Sequence, residues 1–284
     1  MRTLKLLPLF VLGVIALDES SALAERRNPL AGQPAIRNKV ELRKLRFEIT
    51  PQFLVGINQD YKHSFGPGAN LTFHITDWLG VGVQGSYNFN TNTALEDKVR
   101  AQLPNENGTN GMAYMYPGPQ PTLQIHDQRV LGIDALLSAY AQLTPFTGKF
   151  ALFSAAFFSY DLYADVGLGV VHYHQNCCNA ADSNFVNHPQ PGDNPPVGDP
   201  NTEDPRIFAG WKVGGLIGVG AHIFFNDFIG AQLELRDYIV GANPSGGDVN
   251  GDRHLTKKDE SVQNNIFFGI GIVVMLPPKA KITH

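Results

Sequence analysis

From Leu45 onward, apolar and polar positions alternate with a period of two, and the alternation recurs in eight segments. In Leu45–Ile57 the odd positions are Leu45, Phe47, Ile49, Pro51, Phe53, Val55 and Ile57, against Arg46, Glu48, Thr50, Gln52, Leu54 and Gly56. A strand turns successive side chains to opposite faces, so this pattern predicts a strand between two different media. The same signal marks Ser64–Ile75, Leu79–Phe89, Arg129–Leu143, Phe158–Val170, Ile207–Ile223, Ile229–Ile239 and Asn264–Leu276. One face is bulky and continuous in Leu, Ile, Val and Phe. The other is small or polar and carries Gly, Gln, Asn and scattered charges.

The connections alternate in length. About five residues join the first two strands, and Thr76-Asp77-Trp78 and Phe225-Asn226-Asp227 are tight turns. A medium turn is expected at 144–157, and long loops at about 90–128, 175–206 and 240–263. Short turns at one end and long loops at the other predict an all-β fold: a transmembrane up-and-down antiparallel β-barrel of eight strands with long extracellular loops. A soluble periplasmic ligand-binding β-barrel also alternates, but it buries its apolar face, so burial discriminates the two.

Residues 1–24 read as a secretory signal peptide. Arg2 and Lys5 precede the apolar run Leu6–Leu17, and Ala22-Leu23-Ala24 supplies a small-x-small cleavage site. That run is shorter than the roughly 20 residues a helix needs to span a bilayer. The expected organisation is a signal peptide (1–24), a periplasmic lead-in (25–43), the barrel domain (44–277) and a periplasmic tail (278–284), with localisation in the cell outer membrane.

Composition narrows the function classes. The chain has 284 residues, 43% hydrophobic and 17% charged, with 29 Gly and a net charge of −4. This balance excludes a long coiled coil and a wholly disordered chain. It also lacks the basic excess of a nucleic-acid binder. Mean hydropathy is −0.13, which excludes a bundle of membrane helices. Two cysteines cannot staple a scaffold.

On the polar face, Arg46, Lys212 and Arg236 are expected to pair with Glu48, Asp134, Asp161, Asp165 and Glu234, because unpaired buried charge is costly. An eight-stranded interior is only wide enough for side chains, so these charges predict a locked polar plug. A narrow ion or solute channel through the same network is the alternative.

The stretches Ala35-Ile36-Arg37-Asn38-Lys39, Arg46-Phe47-Glu48-Ile49-Thr50-Pro51, Gly148-Lys149-Phe150-Ala151-Leu152-Phe153, Tyr160-Asp161-Leu162-Tyr163 and Glu234-Leu235-Arg236-Asp237-Tyr238 resemble the outer-membrane β-barrel domain family of myxobacteria and relatives, small OmpA-like eight-stranded barrels. The resemblance spans about residues 35–278. It implies an integral outer-membrane protein, in some members linked to cell-surface or motility assemblies, and it implies no catalytic residues. The chain departs from barrels generally by ending Leu276-Pro277-Pro278 and a basic tail rather than on an aromatic residue.

Two constellations carry candidate chemistry. In Asp248–Asp259, oxygen-bearing side chains of Asp248, Asn250, Asp252, Thr256 and Asp259 fall at positions 1, 3, 5, 9 and 12, with the His254 carbonyl at position 7. That spacing predicts an oxygen cage for Ca²⁺ and resembles the calcium loop of dockerin repeats. Arg253 stands where Gly usually turns the loop, and Asp259 where a bidentate Glu usually sits. A solvated surface loop is the other reading. Cys177 and Cys178 follow His172 and His174, which leaves open a soft-metal site, a strained vicinal disulfide or two unlinked thiols. No nucleophile elbow, phosphate loop or HExxH occurs, so a non-enzymatic role is expected. That role is anchoring a cell-surface assembly or presenting loops for recognition, with outer-membrane lipid and envelope or surface-assembly proteins as partners.

Overall fold

In the computed structural model, the described residues are 36–37, 43–103, 126–127, 129–152, 156–175, 205–252 and 254–278. The expected signal peptide, Cys177, Cys178, residues 279–284 and much of the two longest loops lie outside them.

Among the described residues ten antiparallel strands form one sheet: β1 (Ile36–Arg37), β2 (Arg46–Gly56), β3 (Lys62–His74), β4 (Leu79–Tyr87), β5 (Phe89–Asn92), β6 (Leu131–Leu152), β7 (Ala156–Gln175), β8 (Gly210–Phe224), β9 (Ile229–Ala242) and β10 (Ser261–Leu276). Eight of them close a ring in the order β6-β4-β3-β2-β10-β9-β8-β7, with β7 pairing back to β6. Neighbours in the ring are neighbours in sequence except at the β2–β10 seam, where Gly56↔Phe267 to Phe47↔Leu276 join the two ends. Round the ring every strand pairs on both sides, which is the condition for strands to cross hydrocarbon. β5 extends the β4 edge along β3, and β1 extends it along the far end of β6.

Burial selects the membrane barrel over the soluble one. Along β2, Arg46, Glu48, Thr50, Gln52 and Leu54 are buried, while Phe47, Ile49, Phe53 and Val55 are exposed. The same inversion runs round the ring: Leu71, Val83, Leu137, Val166, Ile217, Leu233 and Ile270 face out, and Asn70, Gln84, Gln142, Asp165, His222, Glu234 and Asn265 face in. Exposing that much contiguous apolar surface to water is not tolerated by a soluble monomer. Trp78, Phe146 and Phe225 stand outward at the short-turn end, and Tyr87, Phe89 and Trp211 at the other, as aromatic girdles do. Among the described residues no helix is long and apolar enough to cross a membrane. The chain is a transmembrane β-barrel of the outer membrane.

Glycines on the inner face make room for tyrosines. Tyr140 pairs across the strands with Gly82 and Tyr163 with Gly220, and each ring lies over its glycine. A Cβ at Gly220 would sit 2.2 Å from Tyr163 Cζ, and one at Gly82 would sit 2.7 Å from Tyr140 Cζ. Tyr163 cannot swing away, because Gln232 and Glu234 hold its hydroxyl. Gly220→Ala is therefore expected to lower stability by about 1–3 kcal/mol as overpacking, read as a lower urea midpoint of unfolding in lipid vesicles. Gly215, with open space at its Cβ position, is the control at which alanine changes little.

Three departures from the sequence reading matter for the interior. β6 carries register shifts between Ile133 and Ala135 and between Leu143 and Phe146. The first reverses facing, so Leu131 and Ile133, expected on the outer face, are buried inside, while Asp134, expected inside, pairs with outward-facing His172. The segment expected as a medium turn at 144–157 is a paired hairpin, in register from Phe146↔Leu162 to Leu152↔Ala156. Arg43, at the edge of the expected lead-in, lies fully inside the barrel.

Candidate functional site

Among the described residues, buried side chains of different chemistry occupy the barrel bore in successive layers. At the short-turn end the chain enters through Leu45, whose left-handed φ of +60° lets Arg43 and Arg46 both turn inward while Leu45 stays outside. The Arg43 and Lys44 N–H groups donate to Asp77 Oδ1, which fixes the entry to the β3–β4 turn. Arg46 donates to the carbonyls of Asp227 (2.7 Å) and Pro277 (3.0 Å), tying the β8–β9 turn and the exit strand to the entry strand. Phe224, Val273 and Met275 form a small apolar floor, with the Arg43 guanidinium 5.3 Å above the Phe224 ring.

Above the floor lies a layer of charges. Arg43 pairs with Asp161, and Asp161 Oδ1 is 3.0 Å from His222 Nδ1. The other His222 nitrogen is 3.4 Å from Glu48, whose second oxygen is 3.0 Å from His74 Nε2. Two carboxylates, two imidazoles and a guanidinium thus form one chain closed to solvent. The next layer is centred on Arg236. Its Nη2 donates to Asp165 (2.8 Å), its Nη1 to Gln84 (2.6 Å), its Nε lies 2.8 Å from Glu234, and its plane covers Tyr140 at 4.2 Å. Glu234 also accepts from Tyr163 (3.0 Å), Gln232 (2.6 Å) and Asn70 (3.3 Å), and Gln84 Oε1 also accepts from Ser138 and Tyr238. Charge-assisted bonds of this kind are the strong ones, and the low dielectric strengthens them further.

Toward the loop end the bore turns apolar. Leu54, Leu136, Leu216, Tyr173, Tyr238 and Phe267 pack with Leu131, Ile133, Val240, Phe208 and Leu255. Sequence reasoning expected a polar plug, and the charged layers bear that out for Glu48, Asp161, Asp165, Glu234 and Arg236, while Arg46 is buried as expected and donates to the carbonyls of Asp227 and Pro277. Lys212 lies at the rim instead, paired with Glu260. Arg43, His74 and His222 were missed as partners. The signals available were their inward parity for the histidines and, for Arg43, nothing beyond a basic residue three positions before β2.

The loop end is built down onto the bore. Thr93 caps α1 (Ala94–Gln102), accepting from the Glu96 N–H, and buried Glu96 lies 2.9 Å from His126. Asn58 bonds both to the Ile266 N–H and the Asn264 carbonyl, and Tyr173 donates to Asn265. Leu131 N donates to Pro244 O, and Gly246 at φ +62° lies so close to the Arg129 carbonyl that a Cβ would be 2.3 Å from it.

The predicted calcium loop sits at this rim. Asp248 Oδ1 accepts from Gly251 N, Asn250 Oδ1 from Asp252 N, and Asp252 Oδ1 from His254 N, each at 2.8 Å. Asp259 is buried at the base and accepts from the N–H groups of Val249, Asn250 and Thr256. Thr256 and Asp259 form a capping box on the 3₁₀ turn Lys257–Asp259, and Leu255 inserts into the apolar end of the bore. Asn250, Asp252 and His254 are exposed. The oxygen side chains therefore do gather round the loop backbone. Among the described residues no three His, Cys, Asp or Glu side chains converge on a metal position.

Hydrogen bonds of the chain itself close this loop, which gives a direct expectation. Burial pushes the Asp259 carboxyl up, but the N–H donors of Thr256, Asn250 and Val249 outweigh it and hold its pKa below the ordinary aspartate value. A folded-state pKa below the unfolded one contributes stability above the ordinary aspartate range, and that contribution is lost as pH falls through the lowered value. Amide protection at Val249 and Thr256 is expected to persist in excess EDTA, to fade in that acid window, and to vanish in Asp259→Ala.

No family model and no curated protein matches the chain. Solved structures similar to it include the outer membrane protein OprG from Pseudomonas aeruginosa (10% identity, TM-score 0.39), with 84% of this chain and 99% of that one covered. The N-terminal β-barrel domain of Pseudomonas aeruginosa OprF is similar at 10% identity and TM-score 0.38, covering 82% and 98%. Neisserial surface protein A is similar at 10% and 0.35, covering 81% and 95%.

Proposed function

We propose that this chain is a non-enzymatic, non-conducting outer-membrane anchor that presents its long loops at the cell surface, either to hold a surface assembly or for recognition. The observation that carries the reading is the filling of the bore. An apolar floor, two layers of paired charge and an apolar upper layer occupy successive levels, and the 243–260 loop tucks Leu255 into the top. Residues spent on filling and sealing the interior serve rigidity, and the surface left for function is the loop rim. Membership of the myxobacterial barrel family belongs to this proposal on the strength of the strand stretches quoted above. Calcium at Asp248–Asp259 also belongs to it, as an ion that would add rigidity to a loop already closed by its own hydrogen bonds.

Planar-bilayer recording tests the reading. Purified mature chain, inserted from detergent, is expected to leave the baseline current unchanged over a range of salt and voltage. Discrete, reproducible conductance steps from the folded species would reject the anchor and favour the narrow channel.

A further inference from the structure

The β6 bulge that turns Asp134 out of the bore places it on the outer wall near the loop rim, against a histidine of the next strand. Asp134 Oδ1 lies 2.6 Å from His172 Nδ1, and both side chains are about a quarter exposed. With its Nδ1 on the carboxylate, the His172 ring presents Nε2 as its remaining nitrogen. Its position is held further by Trp211, the cross-strand partner of His172 on β8, whose ring centroid is 4.6 Å away. His174 follows two residues along β7, on the same outward face, and is exposed. Its cross-strand partner on β6 is Gly132, which has no side chain to cover it.

We infer that His172 and His174 are a pair of ligands for a divalent transition-metal ion, with Asp134 orienting His172 from behind. Residues i and i+2 of a strand stand side by side on one face, about 7 Å apart along it. Two long imidazole side chains on that spacing reach a common ion between them. Imidazole suits zinc, copper and nickel and does not suit calcium or magnesium, which take oxygen. The Asp134 contact is the independent feature. A metal-ligating histidine characteristically gives its second ring nitrogen to a carboxylate, which fixes the tautomer and raises the basicity of the ligating nitrogen. The bulge that delivers Asp134 to His172 breaks the regular facing of β6. With two protein ligands, water or a group from the surroundings completes the coordination. The site is an outer-wall feature and stands whether or not the bore conducts.

Trp211 makes the site measurable. The chain has two tryptophans, Trp78 and Trp211, and they stand at opposite ends of the barrel. Nickel(II), which is paramagnetic and does not oxidise thiols, is titrated into the folded full chain in detergent, with Trp78→Phe as the background. The expected result is saturable quenching of Trp211 with one ion per chain. His172→Ala and His174→Ala each abolish the saturable phase, while Asp134→Asn keeps it and weakens affinity roughly 10- to 100-fold. His63→Ala, an exposed histidine on β3, leaves it unchanged. All the variants lie on the outer wall, and each is checked for folding by its gel shift on boiling. Quenching that is only linear in nickel overturns the inference. So does saturable quenching that survives either His172→Ala or His174→Ala, or an Asp134→Asn affinity equal to that of the parent.

Discussion

Arg236→Ala is expected to destabilise the barrel by about 3–5 kcal/mol, the loss that follows removal of one partner from a buried ionic network. Arg236 is 1% exposed and is the cation between Asp165 and Glu234. Truncating it leaves two carboxylates facing each other in the bore and removes the donor to Gln84 and the cover over Tyr140. Urea unfolding in lipid vesicles, followed by tryptophan emission, reads the change as a shift of midpoint. Arg236→Lys keeps the charge but not the planar fork, and is expected to fall between the two. The combination Arg236→Met, Asp165→Asn and Glu234→Gln removes all three charges together and recovers much of the loss, because no charge is then left unpaired. A loss equal to or larger than that of Arg236→Ala in the triple variant would show that the residues act through shape and not through charge.

Ile270→Arg tests the other face. Ile270 is 54% exposed, midway along the outer side of β10, flanked by Phe53 on β2 and Leu233 on β9. An arginine at the lipid midplane of a barrel costs about 2–4 kcal/mol. At a solvent-facing position of a soluble barrel the same change stays within about 0.5 kcal/mol. Ile270→Leu, a volume-conserving swap, is the control. The sign of the context is what matters: the same substitution is costly in hydrocarbon and near-neutral in water.

The outer face was legible in the sequence because hydrocarbon imposes a strict rule on it. Every second residue from Phe47 to Val55, and again from Phe268 to Leu276, had to be apolar, and the period of two fixed both strands and their facing. The inner face follows no such rule. Leu54, Leu216 and Phe267 interrupt the polar positions because the upper bore is packed with apolar side chains, and a lone inward Leu reads as noise. Bulges were the larger obstacle. A window of alternating residues cannot show that one residue is extra, so the shift beside Asp134 inverted the reading of Leu131 and Ile133. The hairpin at 144–157 was hidden for a related reason: Thr147 and Gly148 carry turn chemistry, and only their pairing with Asp161 and Tyr160 of β7 makes them strand. Tyr140 and Tyr163 needed their cross-strand glycines to be understood, and that is a fact of register. The spacing of Asp248, Asn250, Asp252 and Asp259 predicts a calcium cage or a solvated loop and does not disclose that these oxygens accept backbone N–H groups, as Asp and Asn do in turns.

The central claim is that the polar face lies inside a closed barrel and the apolar face meets lipid. The most direct measurement is the mobility of the chain, refolded in detergent, on a semi-native gel with and without boiling. With every strand paired round the ring, the folded chain is expected to resist the gel detergent, run as a compact species unboiled, and shift to its unfolded mobility only on heating. A single unchanged band, together with a monodisperse monomer in buffer without detergent, would contradict it.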